Sequence, residues 1–129
     1  MLKVAAIAAA SLVALAACQP GAKNTAADET EIAGLNQAWA TGYNAGDADA
    51  VANLYAEDGV VMAPGTKTLE GRAAIREFIA SDSAAAKAAG LTMNITGGAK
   101  QMAGDLAFET GTFAVTDAAG ATVDAGKYV

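Results

Sequence analysis

The stretch from residue 44 to residue 65 reads NAGDADAVANLYAEDGVVMAPG, and it contains the end signals of several short elements. Gly46 is typical of a helix end, because glycine accepts the left-handed backbone that follows a helix. Asp47 can accept hydrogen bonds from the free N–H groups that begin a second, short helix. Residues 60–63 predict a buried strand that ends at the turn Pro64-Gly65. The stretch therefore predicts a helix, a short helix and a strand in close succession.

Two more helices flank this stretch. Upstream, apolar residues recur at steps of three and four from Glu29 onwards, which places them on one helix face. Downstream, residues 72–89 predict a third helix that ends at Gly90. The predicted inner faces comprise Ile32, Leu35, Trp39 and Tyr43 in the first helix, Val51, Leu54 and Tyr55 in the second, and Ile75, Phe78 and Ile79 in the third. The outer face of the third helix carries Arg76, Glu77, Asp82 and Lys87.

Beyond Gly90 the apolar residues alternate with polar ones, which is the period of a strand. Gly97-Gly98 predicts either a bend or a bulge in that strand. Two further strands are predicted at residues 106–116 and 122–129, each preceded by a turn. Helices that precede a run of antiparallel strands predict an α+β fold, with the helices packed on one face of a strongly curved sheet.

Composition excludes several classes of function. The chain has 129 residues, enough for one domain, and a net charge of -6, which argues against nucleic acid as a partner. It contains no histidine and one cysteine, so neither an internal disulfide nor a Cys/His zinc site can form. No metal site and no cofactor are predicted, and Asp47-Ala48-Asp49 is interpreted as helix capping rather than a cation site.

Residues 1–18, MLKVAAIAAASLVALAAC, predict a signal peptide with Lys3 before a short apolar run. Its end, Leu15-Ala16-Ala17-Cys18, resembles the lipobox of bacterial lipoproteins, which implies cleavage before Cys18 and lipid attachment to its thiol. The alternative is an ordinary signal peptide with an incidental cysteine. In enteric bacterial lipoproteins, an aspartate directly after the lipidated cysteine is the usual signal for retention in the inner membrane. The residue here is Gln19, which favours the outer membrane, facing the periplasm. Residues 19–28 predict a flexible tether, and residues 29–129 the domain.

Further pieces of sequence carry a second resemblance. Trp39, the stretch 44–65, GRAAIREF (71–78), GDLAFETGTF (104–113) and GKYV (126–129) together resemble the SnoaL-like branch, with the DUF4440 domain, of the nuclear-transport-factor-2-like (NTF2-like) superfamily. The resemblance implies a cone with a pocket in its opening, and a homodimer formed through the sheet. Members continue beyond GKY with a last strand, so a chain that lacks its C-terminal end is expected.

The superfamily includes ketosteroid isomerases, which need a carboxylate base and an oxyanion hole made of a tyrosine and a protonated aspartate. Carried over by position, the base corresponds to Ala63, the tyrosine to Trp39 and the neutral aspartate to Gly126. A two-residue slip would place Asp124 in the third position. The resemblance therefore implies that isomerase chemistry of this kind is absent, and whether the protein is an enzyme stays open.

The sequence suggests a ligand pocket and two candidate catalytic residues. The predicted pocket residues are Trp39, Tyr43, Tyr55, Met62, Phe78, Glu109, Phe113 and Tyr128. Glu109 and Tyr43 are the catalytic candidates, because a glutamate in an apolar pocket has a raised pKa. The alternatives are that Glu109 faces solvent or pairs with a basic residue, and that the aromatic residues only pack in the core.

Three functions follow, in order of preference. The first is a lipid-anchored module that binds a small apolar or amphipathic molecule. The second is a SnoaL-like isomerase, cyclase or dehydratase that uses Glu109 and a tyrosine. The third is an envelope interaction module that dimerises through its sheet.

Overall fold

The computed structural model describes residues 25–104 and 106–129. In chain order the elements are α1 (Thr25–Ala45), α2 (Ala48–Ala52), β1 (Val60–Val61), β2 (Leu69–Glu70), α3 (Arg72–Ala88), β3 (Thr92–Ala103), β4 (Leu106–Thr116) and β5 (Thr122–Tyr128). The predicted signal peptide with Cys18, and residues 19–24 of the predicted tether, lie outside the described residues. The helices pack against the antiparallel sheet β3-β4-β5, which confirms the α+β fold.

Helix ends follow the local signals. Gly46 and Gly90 have φ angles of 78° and 67°, the left-handed conformation that glycine tolerates after a helix. The Asp47 carboxylate accepts a hydrogen bond from the backbone N–H of Ala50 at 2.9 Å, as expected for an N-cap. The start of α1 differs from the prediction, because the helix already includes residues 25–28 of the predicted tether. Asp28 lies in its first turn, where a negative charge stabilises the helix dipole.

A small hairpin replaces the predicted four-residue strand. β1 has two residues, and it pairs antiparallel with β2, Val60 opposite Glu70. The sequence did not reveal β2, because two residues are too few to show a strand period. The loop before the hairpin is held by Arg72, whose Nε and Nη2 atoms donate to the carbonyl oxygen of Tyr55 at 2.9 and 2.7 Å.

The sheet contains the predicted bulge. Along β3 and β4 the register runs without a break to Gly97 opposite Gly111, shifts, and resumes with Lys100 opposite Glu109. In a regular strand Gly97 and Lys100 would face opposite sides of the sheet, because successive side chains alternate. The shift brings Lys100 to the same side as Gly97, which is the side that the helices cover. This local irregularity positions a charged residue beside Glu109.

The core lies in the helical layer. Its buried members are Tyr43, Ala48, Val51, Leu69, Ile75 and Ile79. Ile75 and Val51 are fully buried, and burial of such a side chain contributes about 1.5–3 kcal/mol. α1 approaches α2 closely at Gly42, where a Cβ atom would lie 2.9 Å from Cγ2 of Val51. This close packing fixes the helical layer as one side of the cone.

Candidate functional site

A cavity of about 1130 Å³ lies between the helices and the concave side of the sheet. Its wall is mostly apolar and comes from α1, α3, β1 and the three long strands. Seven of the predicted pocket residues line it: Trp39, Tyr43, Tyr55, Met62, Phe78, Phe113 and Tyr128. Met62 is 81% exposed and therefore lies at the rim. The eighth predicted residue, Glu109, is buried behind the wall.

The helical side of the cavity has a rigid aromatic surface. Trp39 and Tyr43 are four residues apart on α1, so their side chains lie on one face. Their rings stack with centroids 5.1 Å apart and planes inclined by 10°. The indole N–H of Trp39 donates to the hydroxyl oxygen of Tyr55 at 2.9 Å. These contacts hold the three side chains in place, and together they form an aromatic part of the cavity wall.

Tyr43 is joined to α3 through Asp82. Its hydroxyl donates to Oδ2 of Asp82 at 2.5 Å. The predicted outward position of Asp82 is therefore wrong: Asp82 follows Phe78 by four residues, and both face the cavity. Burial, and then the hydrogen bond and charge of Asp82, raise the pKa of Tyr43 well above its ordinary range. Tyr43 therefore keeps its proton at neutral pH.

Glu109 is the centre of a polar cluster between α1 and the sheet. The side chain is 8% exposed. Its Oε2 atom accepts hydrogen bonds from the Asn36 amide at 2.6 Å and from the Tyr128 hydroxyl at 3.0 Å. The ammonium of Lys100 lies 2.9 Å from Oε1 as an ion pair, outside the direction of a hydrogen bond. Glu109 thus pairs with a basic residue, as one of the two predicted alternatives stated.

Two glycines leave the space that this cluster fills. A Cβ atom at Gly97 would lie 2.4 Å from Oε1 of Glu109, and one at Gly111 would lie 2.3 Å from the Tyr128 ring. Real side chains do not approach so closely, so either substitution would displace the cluster. The glycines that predicted a bulge therefore also create room for a buried carboxylate.

The pKa expected for Glu109 is wrong in direction. Burial alone would raise the pKa of Glu109, but the hydrogen bonds from Asn36 and Tyr128 and the positive charge of Lys100 lower it overall. Burial and the neighbouring carboxylate raise the pKa of Tyr128 to about 12. At neutral pH the cluster therefore holds an ionised glutamate and a protonated tyrosine.

The three positions that correspond to the isomerase site also lie around this cavity. Ala63 and Trp39 line the wall and carry no carboxylate or phenol. Gly126 is opposite Phe113, and a Cβ atom there would lie 2.5 Å from the phenylalanine ring. Asp124 is opposite Val115 and lines the cavity. The carboxylates that face the cavity are thus Asp82 and Asp124.

Sequence reasoning missed Asn36, Lys100 and the inward position of Asp82. Asn36 lies three residues before Trp39, beside the apolar stripe of α1. This position was the available sign in the sequence that the polar side chain of Asn36 faces inward. Lys100 follows the predicted bulge, and a shift of register there could have suggested its inward position. The signal at Asn36 does not indicate its partner, because Asn36 and Glu109 are 73 residues apart in the sequence. Lys100 lies opposite Glu109 in one hairpin, but only the exact register of the bulge shows this.

The described ranges, 25–104 and 106–129, contain neither a candidate membrane span nor a candidate metal cluster. No helix among them is both long and apolar enough to span a membrane. No group of three or more cysteine or acidic side chains there is arranged to hold a metal ion.

Comparisons with known proteins agree with this geometry. A family model described as a SnoaL-like domain matches residues 36–128. An NTF2-like protein with a cystatin-like fold from Novosphingobium aromaticivorans is 27% identical; the match covers 81% of this chain and 67% of that protein, with a TM-score of 0.68. A ketosteroid isomerase-like protein from Erwinia carotovora is 24% identical over 74% of each chain, with a TM-score of 0.54, and shows the fold alone.

A third solved structure is the epoxide hydrolase/cyclase-like enzyme SalBIII, with a role in pyran ring formation in the polyether salinomycin. It is 25% identical, the match covers 68% of this chain and 64% of SalBIII, and the TM-score is 0.51. The chain thus spans about two thirds of the length of these structures. No curated protein matches it. Because the family match extends over more than half of the chain, this protein belongs to the family of SnoaL-like domains, within the NTF2-like superfamily.

Proposed function

We propose that the cone binds a small, largely apolar molecule and does not convert it. The observation that carries this proposal is the cavity of about 1130 Å³, whose wall is mostly apolar and includes the stacked rings of Trp39 and Tyr43. Preformed, mostly apolar cavities with few polar groups are typical of small-molecule sites.

The acid–base groups that the sequence suggested support binding rather than catalysis. Glu109 is buried behind Asn36 and Tyr128 and has a lowered pKa, so it is a weak base and cannot act as a neutral acid. Tyr43 has a raised pKa and therefore releases its proton poorly. Ala63 supplies no group in the position of the isomerase base. An enzyme that uses Glu109 and Tyr43 remains the alternative, and the likeness to SalBIII is the observation that favours it.

A fluorescent dye tests the proposal directly. N-phenyl-1-naphthylamine is a neutral, flat and apolar molecule that absorbs at the wavelength where tryptophan emits. Trp39 is the only tryptophan of the chain and lines the cavity, so energy transfer to the dye reports binding in its neighbourhood. We expect saturable dye emission when the tryptophan of the full chain is excited.

Two alanine-to-phenylalanine variants make the test specific. Ala63→Phe fills part of the cavity wall, whereas Ala118→Phe adds the same ring at an exposed turn that does not line the cavity. We expect the first variant to weaken dye binding by about tenfold or more and the second to leave it unchanged, since a tenfold loss corresponds to about 1.4 kcal/mol. The proposal fails if the dye does not bind, or if both variants bind it equally.

Attachment to a membrane is a separate part of the proposal. The lipobox-like Leu15–Cys18 would place a lipid on the mature N-terminus, and two or more acyl chains anchor a protein stably. The cone would then act at the periplasmic face of the outer membrane. Metabolic labelling with an alkyne fatty acid should mark the wild-type protein and not Cys18→Ser. Equal labelling of both proteins would refute the anchor at this position.

The sheet offers a second, structural role. Leu106 and Phe108 on β4 are 75% and 49% exposed, and a second copy of the chain is the partner that the superfamily resemblance suggests. Light scattering over a range of protein concentrations tests for this homodimer, with Phe108→Ser as the variant expected to weaken it.

Assignment to the DUF4440 branch also stays a prediction.

A further inference from the structure

The Glu109 cluster has a consequence for the part of the cavity wall in front of it. Asn36 and Tyr128 line the cavity, and both direct a proton away from it, towards Glu109. We infer that Glu109 turns this part of the wall into a hydrogen-bond acceptor, so that the cavity selects uncharged ligands with an O–H or N–H donor and rejects carboxylates. This inference rests on the proposed function, because it specifies the ligand of the same cavity.

An inventory of protons supports the inference. An ionised carboxylate can only accept hydrogen bonds, so Asn36 must present its N–H side and Tyr128 its single O–H. Oε2 of Glu109 uses the single O–H of Tyr128 and one N–H of Asn36. What remains for a ligand is the Asn36 carbonyl oxygen, a lone pair of the Tyr128 oxygen and the second N–H of Asn36, so acceptors outnumber donors.

The arrangement cannot easily reverse. A flipped Asn36 would place its carbonyl oxygen against the carboxylate, and a rotated Tyr128 proton would leave Oε2 of Glu109 with the Asn36 bond alone. Glu109 is 8% exposed, so water cannot readily replace either donor. Unpaired polar groups in buried positions cost about 1–3 kcal/mol. The orientation of the two cavity-facing groups is therefore set by a residue that does not touch the ligand, and Glu109 is a positioning residue.

Charges around the cavity act in the same direction. Lys100 compensates Glu109 behind the wall, at an ion-pair distance of 2.9 Å. On the cavity side, Asp82 and Asp124 contribute negative charge, and Lys127 opposes them from the edge of the sheet. A ligand carboxylate would meet acceptors at Asn36 and Tyr128 and would leave its own lone pairs unpaired there. An uncharged donor meets no such penalty.

Three probes of nearly equal size and shape test the selectivity. 2-Naphthol carries a donor, 2-methoxynaphthalene carries an acceptor without a donor, and 2-naphthoate carries a negative charge at neutral pH. Each competes with N-phenyl-1-naphthylamine for the full chain. We expect 2-naphthol to displace the dye at a concentration about fivefold or more below that of the methoxy compound, the difference expected from one hydrogen bond. 2-Naphthoate should be the weakest of the three.

Variants locate the selectivity. Tyr128→Phe removes one of the two acceptors and keeps the ring, so the preference for 2-naphthol over 2-methoxynaphthalene should fall to within about twofold. Glu109→Gln frees the Tyr128 proton to face the cavity, so the methoxy compound should gain relative to 2-naphthol. The matched control is Thr112→Val, which removes an exposed hydroxyl from β4 that does not line the cavity and should leave the ratio unchanged.

The outcomes separate this inference from the proposed function. Absence of dye binding overturns both. Dye binding in which 2-naphthoate or the methoxy compound competes as well as 2-naphthol overturns the inference and leaves the proposed function in place. The wild-type ranking needs no variant, so the inference can be refuted even if Tyr128→Phe or Glu109→Gln does not fold.

Discussion

The two walls of the cone differ in what they bury. Among the described residues, every buried side chain except Glu109 belongs to a helix or to the small hairpin. The helical wall is packed with buried apolar side chains, of which Ile75 is one. The sheet wall is open by comparison, with Phe113 and Tyr128 only half-buried, and its one buried side chain is charged.

This difference separates two tasks. Burial of apolar surface is not directional, so the helical wall contributes stability and a smooth surface without choosing a ligand. A buried, hydrogen-bonded carboxylate adds little net stability, but it fixes the direction of every proton that it accepts. The sheet wall thus holds the groups that determine what the cavity can recognise.

The same substitution on each wall should give the largest contrast. Ile75 is fully buried in the helical wall, whereas Ile95 on β3 is half-buried in the sheet wall. We expect Ile75→Ala to lower the free energy of unfolding by about 3–4 kcal/mol and Ile95→Ala by about 1–2 kcal/mol, because a larger buried cavity costs more. Urea denaturation measures both. Equal losses would show that the two walls contribute alike to stability.

A pair of glycines tests the sheet wall next. Gly111→Ala would push a methyl group into the Tyr128 ring, where the Cβ distance would be 2.3 Å, and should cost about 2 kcal/mol. Gly34→Ala on α1 meets nothing within 4 Å and should stabilise the protein by up to about 1 kcal/mol. Thermal unfolding of both variants gives the comparison. A neutral Gly111→Ala would mean that the Tyr128 ring moves freely, which contradicts a fixed cluster.

Features with local signals could be predicted from the sequence. Asp47 caps the helix that follows it, Gly46 and Gly90 adopt the left-handed conformation at helix ends, and Gly97-Gly98 precedes the register shift. Each feature depends on a few adjacent residues, so the conformational propensity and the spacing of those residues are enough to predict it. Most of the aromatic wall was also predictable, since Trp39 and Tyr43 share a helix face whatever the tertiary structure.

The polar cluster as a whole could not be predicted, because Asn36 and Tyr128 reach Glu109 only through the tertiary structure. Asn36 and Glu109 are 73 residues apart in the sequence. The expectation of a raised pKa for Glu109 followed from burial alone, and it was wrong because the compensating donors come from three other elements. Asp82 was misplaced for a related reason: a charged residue on a helix usually faces solvent, and only the cavity explains its position.

The pH dependence of stability isolates the charge on the sheet wall. The pKa of Glu109 is lower in the folded protein than its ordinary value of 4.5. Its stabilising contribution is therefore complete above that value and is lost as the pH falls through the lower, folded pKa. We expect wild-type stability to fall by about 1–2 kcal/mol more than that of Glu109→Gln over this acidic range.

The comparison with Glu109→Gln is needed because another group titrates in the same range. A hydrogen bond and the charge of Arg76 lower the pKa of Asp49, which is exposed on α2. That contribution is common to both proteins and cancels in the difference. Tyr128, whose pKa is raised to about 12, keeps its proton throughout. Parallel curves for the two proteins would show that the buried carboxylate is not stabilised by its partners.

The smallest effect is expected where the two walls meet. Asn44, at the end of α1, uses its amide to accept from the Met93 N–H and to donate to the Met93 carbonyl, both at 2.8 Å. The Asn44 side chain thus bonds the two backbone groups of Met93 that a neighbouring strand would otherwise pair with. Asn44→Ala should cost only about 0.5–1.5 kcal/mol, because the contact is exposed and water can replace both bonds. Asn94→Ala on β3 is the matched control, with an expected change within about 0.5 kcal/mol.

The double variant Asn44→Ala/Ile75→Ala shows whether this contact does more than join the walls. If the helical and sheet walls are energetically separate, the two losses in unfolding free energy should add to within about 0.5 kcal/mol. A loss clearly smaller than the sum would mean that removal of Ile75 already loosens the junction. The stability of the helical wall would then extend through Asn44 into β3, and the division of tasks between the two walls would have to be abandoned.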